Sequence, residues 1–334
     1  MIRLSAGTAA CLGLTGIKMD SYPTTAYLLS GNRCLMKCAF CPQGLSSSEA
    51  LNKLGRVTWP EFTWDEIEKG FRTAAKSGIK RICLQSVRHN DGIETLLGTI
   101  RKIKSISDLP LSLSAWIRNE AEAAAVVDAG VDRFSISLDV VNPEAFTKIK
   151  GGSFTDRLDL LLKFANLYKG RVSTHIICGL GETEEETLVL IDRLIKAGVT
   201  VALFAFVPLK GTRLEKRESP ELDSYRRIQA GLYLLLRKKV DIKELIFTNG
   251  QVASYGIPEE NLIGLLSDGK AFQTSGCSDC NRPYYNERPG GTIYNYHRPL
   301  GQAEKAGELK VLIDSINYSC FYPGGKTRCT TNGV

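Results

Sequence analysis

The chain has 334 residues, of which 43% are hydrophobic and 24% charged, and its net charge is +7. This composition is typical of a folded globular protein and excludes disorder as the main state. The sequence has no apolar run of the roughly 18 residues that a membrane span needs, no concentrated basic stripe for nucleic acid and no convincing secretory leader. We therefore expect a cytoplasmic protein that binds neither membranes nor nucleic acids.

Short β-branched runs alternate with amphipathic stretches along most of the chain. Strands are predicted over residues 24–30, 79–86, 111–117, 131–139, 172–178, 200–207, 245–248 and 270–274, and helices over 64–76, 93–104, 120–129, 155–168, 184–197 and 223–238. Strand–helix repetition with short connections predicts a parallel sheet. We expect an α/β fold of the TIM-barrel type, either eight-stranded or six-stranded and open, with its chemistry at the carboxyl ends of the strands.

The composition of the chain changes near residue 275, after which Gly, Pro, Asn and Tyr dominate. This change predicts three parts. They are an N-terminal segment (1–22), a barrel domain (23–275) and a C-terminal extension (276–334) that carries further cysteines.

Three cysteines with the spacing C-x3-C-x2-C follow the first predicted strand, namely Cys34, Cys38 and Cys41. Three thiolates on one short loop can hold three irons of a 4Fe–4S cube and leave the fourth iron open. Zinc is the alternative, but closed zinc sites require four ligands, usually as two pairs. The spacing therefore favours an iron–sulfur cluster.

With Phe40 directly before the third cysteine, this motif resembles the hallmark of the radical S-adenosylmethionine (SAM) enzymes. The resemblance implies a 4Fe–4S cluster on the triad, SAM on its open iron, an electron from a ferredoxin-like donor and hydrogen abstraction by a 5′-deoxyadenosyl radical. The family lays the nucleotide along the tops of the strands, and several segments here are similar to those of biotin synthase. The implied nucleotide contacts are Phe40, Gln85, Ser86, Ser137, Asp139, Gly179, Gly181, Glu182 and Val207.

Two auxiliary cluster sites known in related families are predicted to be absent. Biotin synthase holds its second cluster with strand cysteines and an arginine, but here Ser173 and Gln251 stand at two of those positions and only Cys83 matches. Bacterial-type lipoyl synthase uses three cysteines before the triad, where this chain has only Cys11. We therefore interpret Cys83 and Cys178 as small buried apolar residues.

A second group of cysteines, Cys277 and Cys280, follows the last predicted strand, and Cys320 and Cys329 come later. A C-x2-C turn with one or two distant thiols can hold a second Fe–S cluster or zinc. We expect Cys320, with Cys329 as the alternative, to complete this site. Its position after a strand predicts that it lies at the same rim of the barrel as the triad.

A barrel of this kind with its extra cysteines at the C-terminus resembles the archaeal-type two-protein lipoyl synthase. That resemblance implies sulfur insertion into an octanoyl chain on a lipoyl carrier protein, a paralogous partner enzyme, and a second 4Fe–4S cluster consumed as the sulfur source. The net charge of +7 suits an acidic carrier. Two alternatives stay open. One is another radical reaction, such as a mutase reaction or hydrogenase-cofactor assembly, and the other is a non-catalytic partner that holds clusters.

Overall fold

The computed structural model describes residues 2–73, 78–88, 92–288 and 290–316. Its strands are β1 Ile2–Leu4, β2 Thr25–Ser30, β3 Lys53–Leu54, β4 Val57–Thr58, β5 Glu61–Phe62, β6 Arg81–Ser86, β7 Leu111–Ser114, β8 Arg133–Ser135, β9 Val172–Cys178, β10 Thr200–Ala205, β11 Ile246–Thr248 and β12 Gln251–Ser254. Its helices are α1 Ala6–Cys11, α2 Trp64–Thr73, α3 Gly92–Ile106, α4 Glu120–Asp128, α5 Pro143–Ile149, α6 Phe154–Leu167, α7 Glu184–Lys196, α8 Leu222–Leu236, α9 Glu259–Leu266 and α10 Gln302–Asp314.

The main sheet has eight strands in the order β10-β9-β8-β7-β6-β2-β1-β5. Strands β2 and β6 to β10 are parallel and adjacent in chain order, with helices between successive strands. The short strand β1 pairs antiparallel with β2, and β5 pairs antiparallel with β1. The α/β TIM-type fold is confirmed, with six parallel strands. None of the described helices is long and apolar enough to span a bilayer.

Local sequence signals position several helices after the strands. Thr183 and Glu186 form a reciprocal capping box at the start of α7, which satisfies two of its free amide groups. Asn142 caps α5 and is followed by Pro143 at the first helical position, where a missing N–H costs nothing. Both helices thus begin close to the carboxyl end of the preceding strand, which is where the candidate site lies.

Two predicted strands are not barrel strands. Residues 246–248 form β11, which pairs antiparallel with β12 in a separate two-stranded sheet. Residues 270–272 form a 3-10 helix that begins after Gly269, at φ +74°, and buries Phe272. A short apolar run does not by itself distinguish a strand from a helical turn, and this ambiguity accounts for both errors.

The predicted N-terminal segment and C-terminal extension are both in contact with the barrel. The N-terminal segment supplies β1 to the main sheet. Ser275, directly before the extension, accepts a hydrogen bond from the Leu203 amide of edge strand β10 (2.9 Å), and Asn281 of the extension accepts one from the Thr24 amide next to β2 (3.0 Å). Residues 275–281 therefore connect the two outermost parallel strands of the sheet, β10 and β2.

Candidate functional site

The three cysteines of the triad lie on a loop that follows β2 at the carboxyl end of the sheet. The Cys41 amide donates to the Cys38 carbonyl (3.2 Å), and the Ala39 amide donates to the carbonyl of Ile149 at the end of α5 (2.7 Å). All three cysteines, including Cys34, are half-buried and line one cavity of about 180 Å³. The loop therefore directs the three predicted cluster ligands at a common space.

Gly44 closes the triad loop at a point where a larger residue does not fit. Its amide donates to the Cys41 carbonyl (3.0 Å). A β-carbon at this position would lie 3.1 Å from that carbonyl oxygen and 3.2 Å from the carbonyl oxygen of Cys38. The backbone of the loop is thus wound tightly around the two cysteines.

Burial controls the protonation of the triad thiols. The pKa of both Cys38 and Cys41 is raised to about 12, mainly by burial, and the neighbouring thiols contribute to that rise. Lys150 acts in the opposite direction on the pKa of Cys38. Thiolate ligation at this loop therefore depends on a cationic group in the cavity, which is the chemistry of an iron–sulfur cluster.

Most of the predicted nucleotide contacts lie beside the triad. Five of the nine line the triad cavity, namely Phe40, Gln85, Ser86, Ser137 and Asp139. Val207 lines the adjoining cavity of about 230 Å³, which it shares with Phe40 and Cys41. The carboxyl ends of parallel strands meet at one edge of the sheet, and this brings residues that are distant in sequence to the same place.

The remaining three predicted contacts, Gly179, Gly181 and Glu182, line neither cavity. The Glu182 carboxylate accepts hydrogen bonds from the amides of Gly179 (2.6 Å) and Leu180 (3.0 Å). Gly179 has φ +101°, and a β-carbon there would lie 2.9 Å from Pro220. In the structure this segment is a tight turn whose polar groups bond within the turn.

Asp139 occupies a strained position in the triad cavity. Its φ of +65° lies in the left-handed region, which costs free energy for a residue other than glycine. The Lys150 ammonium lies 2.7 Å from its carboxylate, and both side chains are largely buried. Lys150 also donates to the carbonyls of Ser137 and Leu138. Lys150 therefore holds the carboxylate of Asp139 in place, and Asp139 is one of the residues predicted to contact the nucleotide.

Arg157 provides an unpaired donor in the same cavity. Its guanidinium stacks 4.2 Å from the Trp116 ring centroid, and Nη1 donates to the Ile117 carbonyl (3.0 Å). Its Nε atom is buried and has no hydrogen-bond partner. Burial lowers the pKa of Arg157 to about 10. An unpaired buried donor on a cationic group favours an anionic ligand in this cavity, such as a carboxylate.

The residues present therefore fit a 4Fe–4S cluster with an amino-acid-bearing nucleotide beside it. Among the described residues, no three histidine, cysteine, aspartate or glutamate side chains are grouped to hold a single metal ion. A cube does not require such a group, because each of its thiolate ligands binds a different iron. The donor set of three thiols on one loop matches that requirement.

The sequence interpretation missed Lys150, Arg157 and His175. Lys150 and Arg157 lie on or after helices that follow β8, and His175 lies on β9, where its Nδ1 is 3.2 Å from the Ser137 hydroxyl. Charged or polar residues in otherwise apolar stretches were the available signal. Such residues are seldom fully buried without a partner, but their partners here come from distant parts of the chain.

The second cysteine pair does not lie at the rim predicted for it. The Asp279 carbonyl between Cys277 and Cys280 accepts hydrogen bonds from the hydroxyls of Thr24 (2.8 Å) and Thr25 (2.7 Å), at the amino end of β2. The predicted last strand is a helical turn, so the chain that leaves it enters the barrel from the opposite end. Cys320 and Cys329, predicted to complete this site, lie outside the described residues.

Comparisons with known proteins agree with this geometry. The sequence model of the radical SAM superfamily matches residues 28–194. The chain is 25% identical over 262 residues to GTP 3′,8-cyclase from Limosilactobacillus fermentum, covering 75% of this chain and 73% of that protein. It is 24% identical over 257 residues to biotin synthase from Leptospira biflexa, covering 70% and 72%.

Two solved structures have a similar fold. Methylornithine synthase superposes with a TM-score of 0.51 at 19% identity, over 64% of this chain and 62% of that one. The FeFe-hydrogenase maturase HydG from Carboxydothermus hydrogenoformans superposes with a TM-score of 0.50 at 16% identity, over 64% and 51%. At these identities the two likenesses establish the fold alone.

Proposed function

The chain belongs to the radical SAM superfamily, and from this premise we propose that it inserts sulfur into an unactivated C–H bond of an octanoyl chain on a carrier protein, as a component of a lipoyl synthase. The observation that carries the proposal is a cavity with thiols at both ends. Cys41 of the triad lines this cavity together with Cys277 and Cys280 of the second pair. A substrate between them can meet a radical source on one side and a sulfur source on the other.

The residues around the triad suit the family's cofactors. When bound, the 4Fe–4S cluster and SAM supply the 5′-deoxyadenosyl radical that removes hydrogen from carbon. Cys34, Cys38 and Cys41 would hold the cluster. Asp139, fixed by Lys150, would accept hydroxyl hydrogen bonds from the nucleotide. The buried guanidinium of Arg157 would attract the carboxylate of its methionine part.

The walls of the larger cavity favour an alkyl substrate. Several of them are apolar side chains, namely Ile177, Phe204, Phe206 and Leu209. The lining also includes the polar residues Asp139, His175 and Arg282, but most of the exposed surface of the cavity, which has a volume of about 230 Å³, is apolar. An apolar surface binds a hydrocarbon chain by removing it from water.

The carrier protein is proposed from the net charge of the chain, and the partner enzyme is proposed from the resemblance of its sequence. The net charge of +7 favours docking of an acidic carrier domain. The archaeal-type lipoyl synthase that the sequence resembles is a pair of related enzymes, and we therefore propose a paralogous partner for this chain. A ferredoxin-like protein would supply the electron.

Anaerobic mass spectrometry of an octanoyl-lysyl peptide tests the proposed function. The peptide is incubated with the reconstituted protein, SAM and a strong reductant, with and without a candidate partner enzyme. We expect a gain of one sulfur from this chain alone or of two with the partner. The Cys38→Ala variant, which lacks a triad ligand, is the control and should give none. A peptide without added sulfur in all reactions would refute sulfur insertion.

A second candidate is a radical reaction without sulfur transfer. The similarity to GTP 3′,8-cyclase, whose name denotes a cyclisation, favours it. A Cys277→Ala/Cys280→Ala double variant separates the two, because sulfur insertion requires this pair and the second candidate does not. Unchanged formation of 5′-deoxyadenosine by the double variant and the wild type, with no sulfur added to the peptide by either, would favour the second candidate. A protein that holds a full triad cluster but cleaves no SAM would instead favour a non-catalytic partner.

A further inference from the structure

We propose that Cys83 is a ligand of the second site and that Cys83, Cys277 and Cys280 together hold a second iron–sulfur cluster inside the barrel, on the amino-terminal side of the triad. The role of this cluster as sulfur source rests on the proposed function. The ligand set does not, and metal content alone tests it. In this proposal Cys83 of β6 is a metal ligand and not only a small apolar residue of the core.

The loop that carries Cys277 and Cys280 is anchored to the amino ends of two parallel strands. Thr25 of β2 donates to the Asp279 carbonyl (2.7 Å). Arg81, the first residue of β6, donates from Nε to the Ser278 carbonyl (3.2 Å). The Cys280 amide donates to the Cys277 carbonyl (3.2 Å) and closes the turn. The two thiols are therefore presented to the barrel on a rigid loop.

The register of the sheet places Cys83 between the two residues that contact these thiols. Cys83 is opposite Tyr27 of β2 and opposite Ser112 of β7. The Tyr27 hydroxyl lies 3.5 Å from Cys280 Sγ, and the Ser112 hydroxyl donates to Cys277 Sγ at 3.8 Å. Residues in register on adjacent strands point to the same face of a sheet. The three thiols therefore face one region of the barrel interior.

Burial and packing agree with this placement. Cys83, Cys277 and Cys280 all line the larger cavity. Cys83 and Cys280 also pack against the same apolar cluster, which contains Tyr27 and Tyr285. A cysteine that served only as a core residue would instead resemble Cys178, which is fully buried in the main core and lines neither cavity.

A cation beside the thiols favours metal ligation. The Arg282 guanidinium is buried and stacks 3.9 Å from the Phe204 ring centroid, where it donates to the Ser275 carbonyl (2.9 Å). A fixed cation beside thiols favours their thiolate form, which is the form that binds metal.

Three thiols are enough to hold an iron–sulfur cluster. A cluster can bind three thiolates and leave one iron for a different ligand. The cavity that extends from the thiols toward Cys41 provides room for that ligand.

Metal analysis in a triad-deficient background tests the inference. The Cys34→Ala/Cys38→Ala/Cys41→Ala protein is reconstituted anaerobically with iron and sulfide, and its iron, acid-labile sulfide, zinc and visible absorption are measured. We expect it to retain one cluster, and the further change Cys83→Ala should reduce both iron and sulfide at least tenfold. Cys178→Ala in the same background is the matched control, because it removes a strand thiol outside the proposed set, and it should retain the cluster.

A Cys83→Ser variant keeps the size of the side chain and is the control for loss of iron and sulfide through misfolding. Circular dichroism reports whether each variant folds. Full iron and sulfide in a folded Cys83→Ala or Cys83→Ser protein would overturn the inference. Stoichiometric zinc in place of iron and sulfide would also overturn it. A Cys83-dependent cluster in an enzyme that adds no sulfur to the peptide would support the ligand set and refute the proposed function.

Discussion

At the scale of single residues, the pairing of Asp139 with Lys150 links stability to the nucleotide contact proposed for Asp139. Asp139 has a left-handed backbone conformation, and its amide and carbonyl bond to β9 residues His175 and Ile177, both at 2.8 Å. Only 4% of the Lys150 side chain and 13% of the Asp139 side chain are exposed. Removing the lysine would leave a buried carboxylate without its counter-ion, which is strongly destabilising.

We expect Lys150→Met to lower the free energy of unfolding by about 3 kcal/mol and to weaken SAM binding. Denaturant unfolding and equilibrium dialysis measure the two effects. Lys148→Met is the matched control, because Lys148, in the last turn of α5 just before Lys150, makes an ion pair with Glu144 in which both side chains are exposed. That change should cost less than about 1 kcal/mol. Equal effects of the two substitutions would contradict the role given to Lys150.

His175 gives the fold a dependence on pH. The pKa of His175 is lowered to about 4, mainly by burial; the charges of Arg282 and Lys150 contribute to this decrease, and the charge of Asp139 opposes it. The unfolded chain therefore binds a proton as the pH falls from about 6.5, whereas the folded chain binds it only near pH 4. The contribution of neutral His175 to stability is complete above pH 6.5 and is lost between pH 6.5 and 4.

We expect the wild-type free energy of unfolding to fall over this window by up to about 3 kcal/mol more than that of His175→Asn. Urea unfolding at several pH values between 4 and 8 measures the difference. The variant lacks the titrating group, so its curve should be flatter between pH 6.5 and 4. Parallel curves for the two proteins would show that His175 does not titrate as described.

At the scale of secondary-structure elements, close packing of α7 against α8 depends on a glycine. A β-carbon at Gly231 of α8 would lie 2.6 Å from the side chain of Leu188, a fully buried residue of α7. Leu188 would therefore have to shift within the packed core. By contrast, a β-carbon at Gly98 of α3 meets no atom within 4 Å.

These two glycines predict opposite effects of the same substitution. Gly231→Ala should destabilise the protein by about 1–3 kcal/mol through overpacking. Gly98→Ala should stabilise it by up to about 1 kcal/mol, because alanine is the better helix former. Thermal or denaturant unfolding of both variants provides the measurement. A stabilising Gly231→Ala would mean that the two helices are not packed as closely as described.

The secondary-structure elements differ in how accurately they can be predicted from the sequence. The six parallel strands and the helices between them were predicted to within a few residues, since their apolar periodicity extends over whole elements. The segments 245–248 and 270–274 were assigned wrongly to the barrel, because each is too short for its periodicity to decide. The triad was predicted from spacing alone, because its three thiols are local in sequence.

At the scale of the whole molecule, the pair Cys277 and Cys280 was predicted as a second site, but its position and the part given to Cys83 could not be predicted because the contacts are long-range. Cys83 and Cys280 meet only because residues 275–281 return to the amino ends of the first strands. Nothing near Cys83 in the sequence indicates that contact. The same return explains why the pair lies on the side of the barrel opposite to the one predicted.

The net charge predicts how the proposed carrier docks. If an acidic carrier domain binds through long-range attraction, its KM should rise several-fold as the ionic strength increases from about 0.01 to about 1 M and the Debye length falls from about 30 to about 3 Å. The KM of a short neutral octanoyl-lysyl peptide should change little and serves as the control. Steady-state kinetics with both substrates provides the test. Equal salt dependence would argue against an electrostatic docking surface.

Transfer of deuterium tests the central claim most directly, because it reports both radical formation and the substrate. The reconstituted protein is incubated anaerobically with SAM, reductant and a peptide whose octanoyl chain is fully deuterated. The account predicts deuterium in the 5′-deoxyadenosine that forms, and no product from the Cys38→Ala variant. 5′-Deoxyadenosine without deuterium would mean that the octanoyl chain is not the substrate, and absence of 5′-deoxyadenosine from the cluster-loaded wild type would contradict radical catalysis by this chain.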